Sequence, residues 1–243
     1  MIQLAILLAA GRGTRLGDIT NDRPKPMAPV ADKPALEHIL VLLRNEGVTD
    51  FIIVIGYMGQ SIRNHFEDGA QWGVRVRYAE QPQPNGTGAA LAAAADLAGD
   101  ASFITSFGDI LTDPSNYRKL LDTYAMTRCA AVVGVNFVDD PTAGAAVYTE
   151  DGRVTRVVEK PPRGTAGTNW NLAGISVYSA HIWPAVRTLK PSFRGEYEIT
   201  DAIQALVDAG LEVRTSEVSG FWSDIGTPDA LREASEMVRE FGW

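Results

Sequence analysis

The feature that most limits how this chain can fold is an apolar run, Ile2 to Leu8, that breaks directly into Gly11-Arg12-Gly13-Thr14-Arg15-Leu16, with Arg23-Pro24-Lys25-Pro26 close behind. The run predicts a buried strand, and a buried strand needs sheet neighbours on both sides. Two glycines one residue apart let the backbone turn tightly and present several N–H groups to one anion. A strand, a glycine-rich turn and the nearby cations Arg15 and Lys25 together suit a phosphate cradle. Two familiar phosphate loops do not fit. The P-loop needs Gly-Lys-Ser/Thr, which occurs nowhere in the chain, and the dinucleotide fingerprint needs a small residue where Leu16 stands, although Asp32 lies at a suitable distance. On these residues alone, a tight turn carrying surface arginines remains open.

Composition narrows the partners. The 243 residues carry a net charge of −8, which argues against a nucleic-acid surface, so an anionic substrate must be met by local cations. The lone Cys129 excludes an internal disulfide and, beside an apolar run, reads as an inert buried thiol. No apolar run is long enough for a membrane span, and the N-terminus lacks the basic start of a signal peptide, so no membrane partner and a cytoplasmic location are expected. No repeat or linker divides the chain. One domain over residues 1–243 is expected, with a nucleotide-binding half to about residue 130 and a second half over 131–243.

Along the chain, helical spacing of Leu36, Ile39, Leu40 and Leu43 predicts a helix over Lys33 to Glu46, ended by Gly47. Strands are expected at Phe51 to Ile55, Val74 to Ala79 and Ser102 to Phe107, and helices at Ser61 to Phe66 and Thr87 to Leu97. Strands alternating with helices imply a mainly parallel sheet covered on both faces, whose ligands sit beyond the carboxyl ends of the strands. Gly11, Gln81 and Asp109 each follow a predicted strand and can share one rim. The second half is richer in strands: Ala131 to Phe137, Ala145 to Tyr148, Val154 to Glu159, Gly174 to Tyr178 and Leu211 to Thr215. Helices are expected at His181 to Leu189, Glu198 to Val207 and Pro228 to Phe241. This half should extend the sheet and supply a second substrate's pocket.

Four further segments carry candidate chemistry. In Gln81-Pro82-Gln83-Pro84-Asn85-Gly86-Thr87-Gly88, a glutamine amide can pair with a base edge as donor and acceptor, and the glycines let backbone approach a flat ligand. A plain turn with Thr87 as helix N-cap fits equally well. Asp109 and Asp224 could share a Mg²⁺, a hard ion that takes carboxylate and phosphate oxygens, or each could simply serve a turn. Glu159-Lys160-Pro161 is by itself no more than a solvated strand edge. His38, His65 and His181 show no ligand spacing, so neither a zinc site nor a histidine nucleophile is expected.

Taken together, Gly11-Arg12-Gly13-Thr14-Arg15-Leu16 followed by Pro24-Lys25-Pro26 resembles the signature of the sugar-1-phosphate nucleotidylyltransferases. Glu159-Lys160-Pro161, Asn171-Leu172-Ala173-Gly174 and Arg194-Gly195-Glu196-Tyr197-Glu198-Ile199-Thr200-Asp201 match later motifs, the last being similar to glucose-1-phosphate thymidylyl- and uridylyltransferases. The resemblance runs from Ile2 to about Ala230. It implies an α/β three-layer, Rossmann-like nucleotidyltransferase fold with a mixed, mainly parallel central sheet. It implies an enzyme that makes a nucleoside-diphosphate sugar and pyrophosphate from an NTP, dTTP or UTP favoured, and a sugar 1-phosphate, glucose 1-phosphate favoured. By the same resemblance Leu8, Ala10, Gly11, Gly13, Thr14, Gln81, Gly86 and Thr87 bind the nucleotide. Gly144, Glu159, Lys160, Asn171 and Trp222 bind the sugar phosphate. Arg15, Lys25, Asp109, Lys160 and Asp224 serve catalysis, with Mg²⁺ on Asp109 and Asp224.

Two departures bear on the sugar and not on the reaction: Ala143 stands where the family often has an aromatic, and Ile110 where a polar residue is usual. The hexapeptide-repeat domain of some relatives is absent, so acetyl transfer is not expected. Pro24 to Pro29 with Gly86-Thr87-Gly88 also looks like the heptose-1-phosphate guanylyltransferases. A nucleotidylyltransferase for a non-sugar phosphate such as phosphocholine, and a non-catalytic nucleotide-sugar sensor, are the other readings. Base, sugar and homo-oligomerisation stay open at this point.

Overall fold

A computed structural model describes residues 1–11 and 13–242, with the side chains of Thr14, Arg15 and Asp18 outside that description. The elements in chain order are β1 Leu4–Ala9, the small hairpin β2 Pro29–Val30 and β3 Lys33–Pro34, α1 Ala35–Asn45, β4 Asp50–Ile55 and α2 Gly59–Phe66. Next come β5 Arg75–Glu80, α3 Thr87–Ala93, α4 Ala95–Ala98, β6 Phe103–Phe107, β7 Ile110–Thr112 and α5 Pro114–Thr127. The second half holds β8 Ala131–Phe137, β9 Ala145–Glu150, β10 Arg153–Glu159, β11 Trp170–Tyr178, α6 Ile182–Arg187, α7 Ile199–Asp208, β12 Val213–Glu217, β13 Trp222–Asp224 and α8 Pro228–Phe241.

A nine-stranded sheet runs in the order β5-β4-β1-β6-β11-β8-β12-β10-β9. The β5-β4-β1-β6 block is parallel throughout, and β12 runs parallel to β8. Strand β11 lies antiparallel between β6 and β8. The β9–β10 hairpin joins the rest through single pairs, Arg153 with Arg214 and Asn171 with Ala146. The sheet is thus mixed and mainly parallel.

Strand alternation builds the three layers. Ala5, Leu7 and Ala9 of β1 face one core with Leu36, Leu40, Phe66, Tyr117 and Val238, while Leu4, Ile6 and Leu8 face another with Leu91, Trp183, Ile203 and Leu206. Helices α1, α2, α5 and α8 therefore cover one face, and α3, α4, α6 and α7 the other. Cys129 is buried, and among the described residues no helix is long and apolar enough to cross a membrane.

The expected elements stand within a few residues of their predicted places, with four differences. The Thr87 to Leu97 helix breaks at Ala94, giving two short helices. Helix α5 is not among the expected elements, although Asp113 caps it by accepting from the Ser115 N–H at 2.9 Å and Pro114 opens its first turn. The β2–β3 hairpin and the short β7–β13 pair are likewise additions to the expected elements. That last pair is the one that shapes the site.

Candidate functional site

The first-half strands deliver their loops to one rim, and a cavity of about 380 Å³ opens there, lined among others by Leu8, Ala10, Gly11, Gly13, Lys25, Gln81, Pro84, Gly86, Thr87, Phe107 and Asp109. Seven of the eight residues assigned to the nucleotide thus line one cavity. The eighth, Thr14, lies outside the described side chains, as does Arg15. Phe107 and Glu196 line the same cavity and were not assigned to it from the sequence.

The glycine loop has a second reason for its composition. Gly13 has φ +69°, and a Cβ there would sit 2.3 Å from Lys25 Cβ. The missing side chain is what lets the lysine stem lie over the loop. Lys25 is buried, and its Nζ donates to Asp109 Oδ2 at 2.5 Å. Neutralising charge in this way makes burial of the lysine against the half-buried Asp109 tolerable, and breaking such a pair is costly.

Asp224 reaches this region through β13, where it pairs with Ile110, the residue after Asp109. The backbones of the two aspartates therefore lie at neighbouring positions across an antiparallel pair. A buried polar network pins the segment. Asn116 Nδ2 donates to Thr112 Oγ1 at 2.8 Å and to the Ser219 carbonyl at 2.9 Å, and Asn116 Oδ1 accepts from the Ser219 N–H at 3.0 Å. The Thr112 hydroxyl donates to the Phe221 carbonyl at 3.0 Å. Among the described residues no group of three or more His, Cys, Asp or Glu could cage a metal. Two carboxylates completed by water and phosphate oxygens are instead the donor set that suits Mg²⁺.

The Gln81 to Gly88 segment differs in detail from its sequence reading. Gln81 is buried, and its Nε2 donates both hydrogens within the loop, to Asn85 Oδ1 at 3.1 Å and the Gly86 carbonyl at 3.0 Å. The expected donor–acceptor pair is therefore reduced to the acceptor Oε1, which has no partner among the described residues. Gly86 (φ +115°) is required by a protein contact as well as lining the cavity, since a Cβ would lie 2.3 Å from the Tyr197 carbonyl oxygen. The Tyr197 N–H donates to the Asn85 carbonyl at 2.7 Å, and the Gly88 N–H donates to the Tyr197 carbonyl at 2.8 Å. Thr87 does not cap its own helix. Its hydroxyl accepts from the Ile199 N–H at 3.2 Å, at the start of α7.

The residues assigned to the sugar phosphate do not line this cavity, and much of their bonding is internal. Asn171 is buried, with Nδ2 donating to the Pro141 carbonyl at 2.9 Å and Oδ1 packed against Gly144, where a Cβ would lie 2.3 Å away. The Gly144 carbonyl accepts from the Lys160 N–H at 2.9 Å. Lys160 itself holds an unusual φ of +40°, with its side chain exposed. Trp222 Nε1 donates to the Ala173 carbonyl at 2.8 Å, fixing its ring beside β11. Arg194 binds three carboxylates: Glu159 at 3.3 Å, Glu198 at 3.2 Å and Glu196 at 3.1 Å. Burial first, and the Glu198 charge second, push the Glu159 carboxyl above its usual value, while Lys160 and Arg194 oppose the shift. Burial also raises Glu198.

The nucleotidyl transferase family pattern matches residues 4–240. A low-salt glycan biosynthesis nucleotidyltransferase of Haloferax volcanii is 35% identical over 237 residues, which cover 97% of this chain and 66% of the relative. A UTP–glucose-1-phosphate uridylyltransferase of the same organism is 33% identical over 239 residues, covering 97% of this chain and 96% of the relative. A Bacillus anthracis structure, described as a glucose-1-phosphate thymidylyltransferase in complex with sucrose, superposes with a TM-score of 0.86 at 29% identity over 98% of this chain and 96% of that one. The chain thus spans about two thirds of the first relative's length and nearly all of the second's.

Proposed function

We infer that this chain, which belongs to the nucleotidyl transferase family, transfers a nucleotidyl group from an NTP to a sugar 1-phosphate and releases pyrophosphate. A sugar-phosphate oxygen attacks the α-phosphorus in line, the bond from that phosphorus to the bridging oxygen breaks, and pyrophosphate leaves with the electron pair. The nucleophile already carries its charge, so no protein nucleophile is needed. Catalysis reduces to positioning and charge neutralisation.

The observation that carries this reading is the single cavity in which the glycine loop, the Lys25–Asp109 pair and Gln81 converge. Gly11 and Gly13 hold the phosphates with backbone N–H groups, and Lys25 neutralises them. Asp109 and Asp224 would hold Mg²⁺, which when bound supplies further charge neutralisation on the phosphate oxygens. Lys160 meets the incoming sugar phosphate.

Gln81 bears on the base. A site offering only an acceptor suits an edge with an imino N–H, as in uracil, thymine and guanine, and opposes the ring-nitrogen acceptors of adenine and cytosine. The names of the relatives, uridylyl- and thymidylyltransferases for glucose 1-phosphate, support UTP or dTTP with that sugar. The test is a pyrophosphate-release screen of NTPs against sugar 1-phosphates with Mg²⁺. Turnover with UTP or dTTP and glucose 1-phosphate is expected. GTP with a heptose 1-phosphate as the best pair would move the chain to guanylyl transfer, and nucleotide binding without release under any pair would make it a sensor.

A further inference from the structure

The nucleotide cavity has an anionic side chain in its wall, which a pocket for a triphosphate must place with care. Glu196 lines it although it belongs to the second half. Its position is fixed from two sides. The neighbouring Tyr197 backbone is clasped by Asn85 and Gly88, in the same loop that brings Gln81 and Gly86 to the cavity wall. Arg194 Nη2 donates to Glu196 Oε2 at 3.1 Å, while the other carboxylate oxygen has no partner among the described residues. The Arg194 guanidinium is in turn held by Glu159 and Glu198, so the arrangement is preorganised.

We propose that Glu196 is a specificity residue whose unpaired carboxylate oxygen accepts a hydrogen bond from a ribose hydroxyl of the nucleotide. This rests on the nucleotidyl-transfer reading above. A carboxylate in the same wall as Gln81 and Gly86 repels phosphate, which Lys25 attracts, and so favours a nucleoside group beside it. What it can accept are the nucleoside's own donors. Uridine and thymidine carry one base N–H donor, which falls to Gln81, and their remaining donors are sugar hydroxyls. Arg194 is the positioning residue that orients the carboxylate.

The test compares UTP with its 2′-deoxy and 3′-deoxy analogues in the wild-type chain, Glu196→Ala and Glu196→Gln. In the wild type, one of the two deletions should lower kcat/KM by about 10- to 150-fold, the worth of a hydrogen bond to a charged group. In Glu196→Ala the same deletion should cost no more than about twofold, because the two changes remove one interaction. Glu196→Gln keeps a neutral acceptor and should fall between. The proposal is overturned if neither hydroxyl matters in the wild type, if the deletion penalty survives in Glu196→Ala, or if Glu196→Ala shifts base preference instead. Calorimetric binding of UTP and the two analogues, without sugar, reads the same cycle independently of turnover. If the wild type binds nucleotides but transfers to no sugar phosphate, the transferase reading fails while the binding cycle still decides the role of Glu196.

Discussion

The two halves of the molecule build their sites by different means. In the first half, parallel strands β1, β4, β5 and β6 all end on one rim, and the loops there supply most of the lining of a cavity to which the second half adds Glu196. In the second half, Gly144, Glu159, Lys160 and Asn171 come from a hairpin and an antiparallel strand whose groups bond largely to one another. The difference teaches that a residue in the first half faces its ligand because of where its strand ends, whereas one in the second half can matter by holding a neighbour. Tyr197 and Glu196 are where the halves meet, clasped by the Asn85 to Gly88 loop and tied through Arg194 to Glu159.

The largest effect should come from the aspartates joined by the β7–β13 pair. Asp109→Asn and Asp224→Asn should each lower kcat by about 10²–10³-fold, on the scale of removing one preorganised electrostatic contact. The double variant should lose far less than the product, as groups acting as a unit do. Near-wild-type turnover in Asp224→Asn would break the claim that a second-half strand completes a first-half site. Next in size is Gly86→Ala. Its Cβ would overlap the Tyr197 backbone at a φ of +115°, so it should cost more than about 2 kcal/mol of stability and weaken NTP binding as well. Chemical denaturation and calorimetry check the two parts. An Ala variant as stable as the wild type would mean that the clasp between the halves is dispensable.

What the sequence made legible follows the same division. The β1 run, its glycine loop and Asp109 after β6 could be read because each is a strand followed directly by its loop. The placing of Asp224 opposite Ile110, the residue after Asp109, could not, because it depends on two three-residue strands more than a hundred positions apart, held by Asn116, a residue with no motif of its own. The glycine at position 86 reports only that something comes close, and the sequence does not reveal that the Tyr197 backbone does so. Gln81 lost its donor to Asn85 and Gly86, a local bond that composition does not reveal. Helix α5 did carry a signal, Asp113-Pro114 with Tyr117, Leu120 and Tyr124 at helical spacing.

A smaller effect separates contact from brace in the second half. Lys160→Ala should raise the KM for sugar 1-phosphate about 10-fold or more while leaving NTP binding near the wild-type value. Asn171→Ala should do the same through Gly144 and the Lys160 backbone. Asn171→Asp decides how. A carboxylate keeps an acceptor but cannot donate to the Pro141 carbonyl, so it should fail as badly as alanine if Asn171 is a brace. Full activity in Asn171→Asp would make the asparagine a direct sugar ligand and would remove the contrast between the halves at that position.

The smallest expected effect concerns the charge that the second half carries around Arg194. Glu159 is raised above its ordinary value of 4.5, chiefly by burial and then by Glu198, so the folded chain binds its proton more tightly than the unfolded chain does. Stability rises with pH only where the unfolded state binds more protons, and here the sign is opposite. The contribution of Glu159 is fully present below pH 4.5 and is lost as pH rises through its higher folded value. At pH 7 the carboxylate is held ionised at a cost that the Arg194 contact only partly offsets. Glu159→Gln removes that cost, so its Tm should lie about 1–3 °C above the wild type at pH 7, the scale of a fraction of a kcal/mol to one for a chain of this length. The advantage should shrink toward zero as pH falls to the ordinary carboxyl range. A Glu159→Gln variant that is less stable at pH 7 by a similar margin would show that the Arg194 pair outweighs desolvation, and that the second half is held together by its charges and not in spite of them.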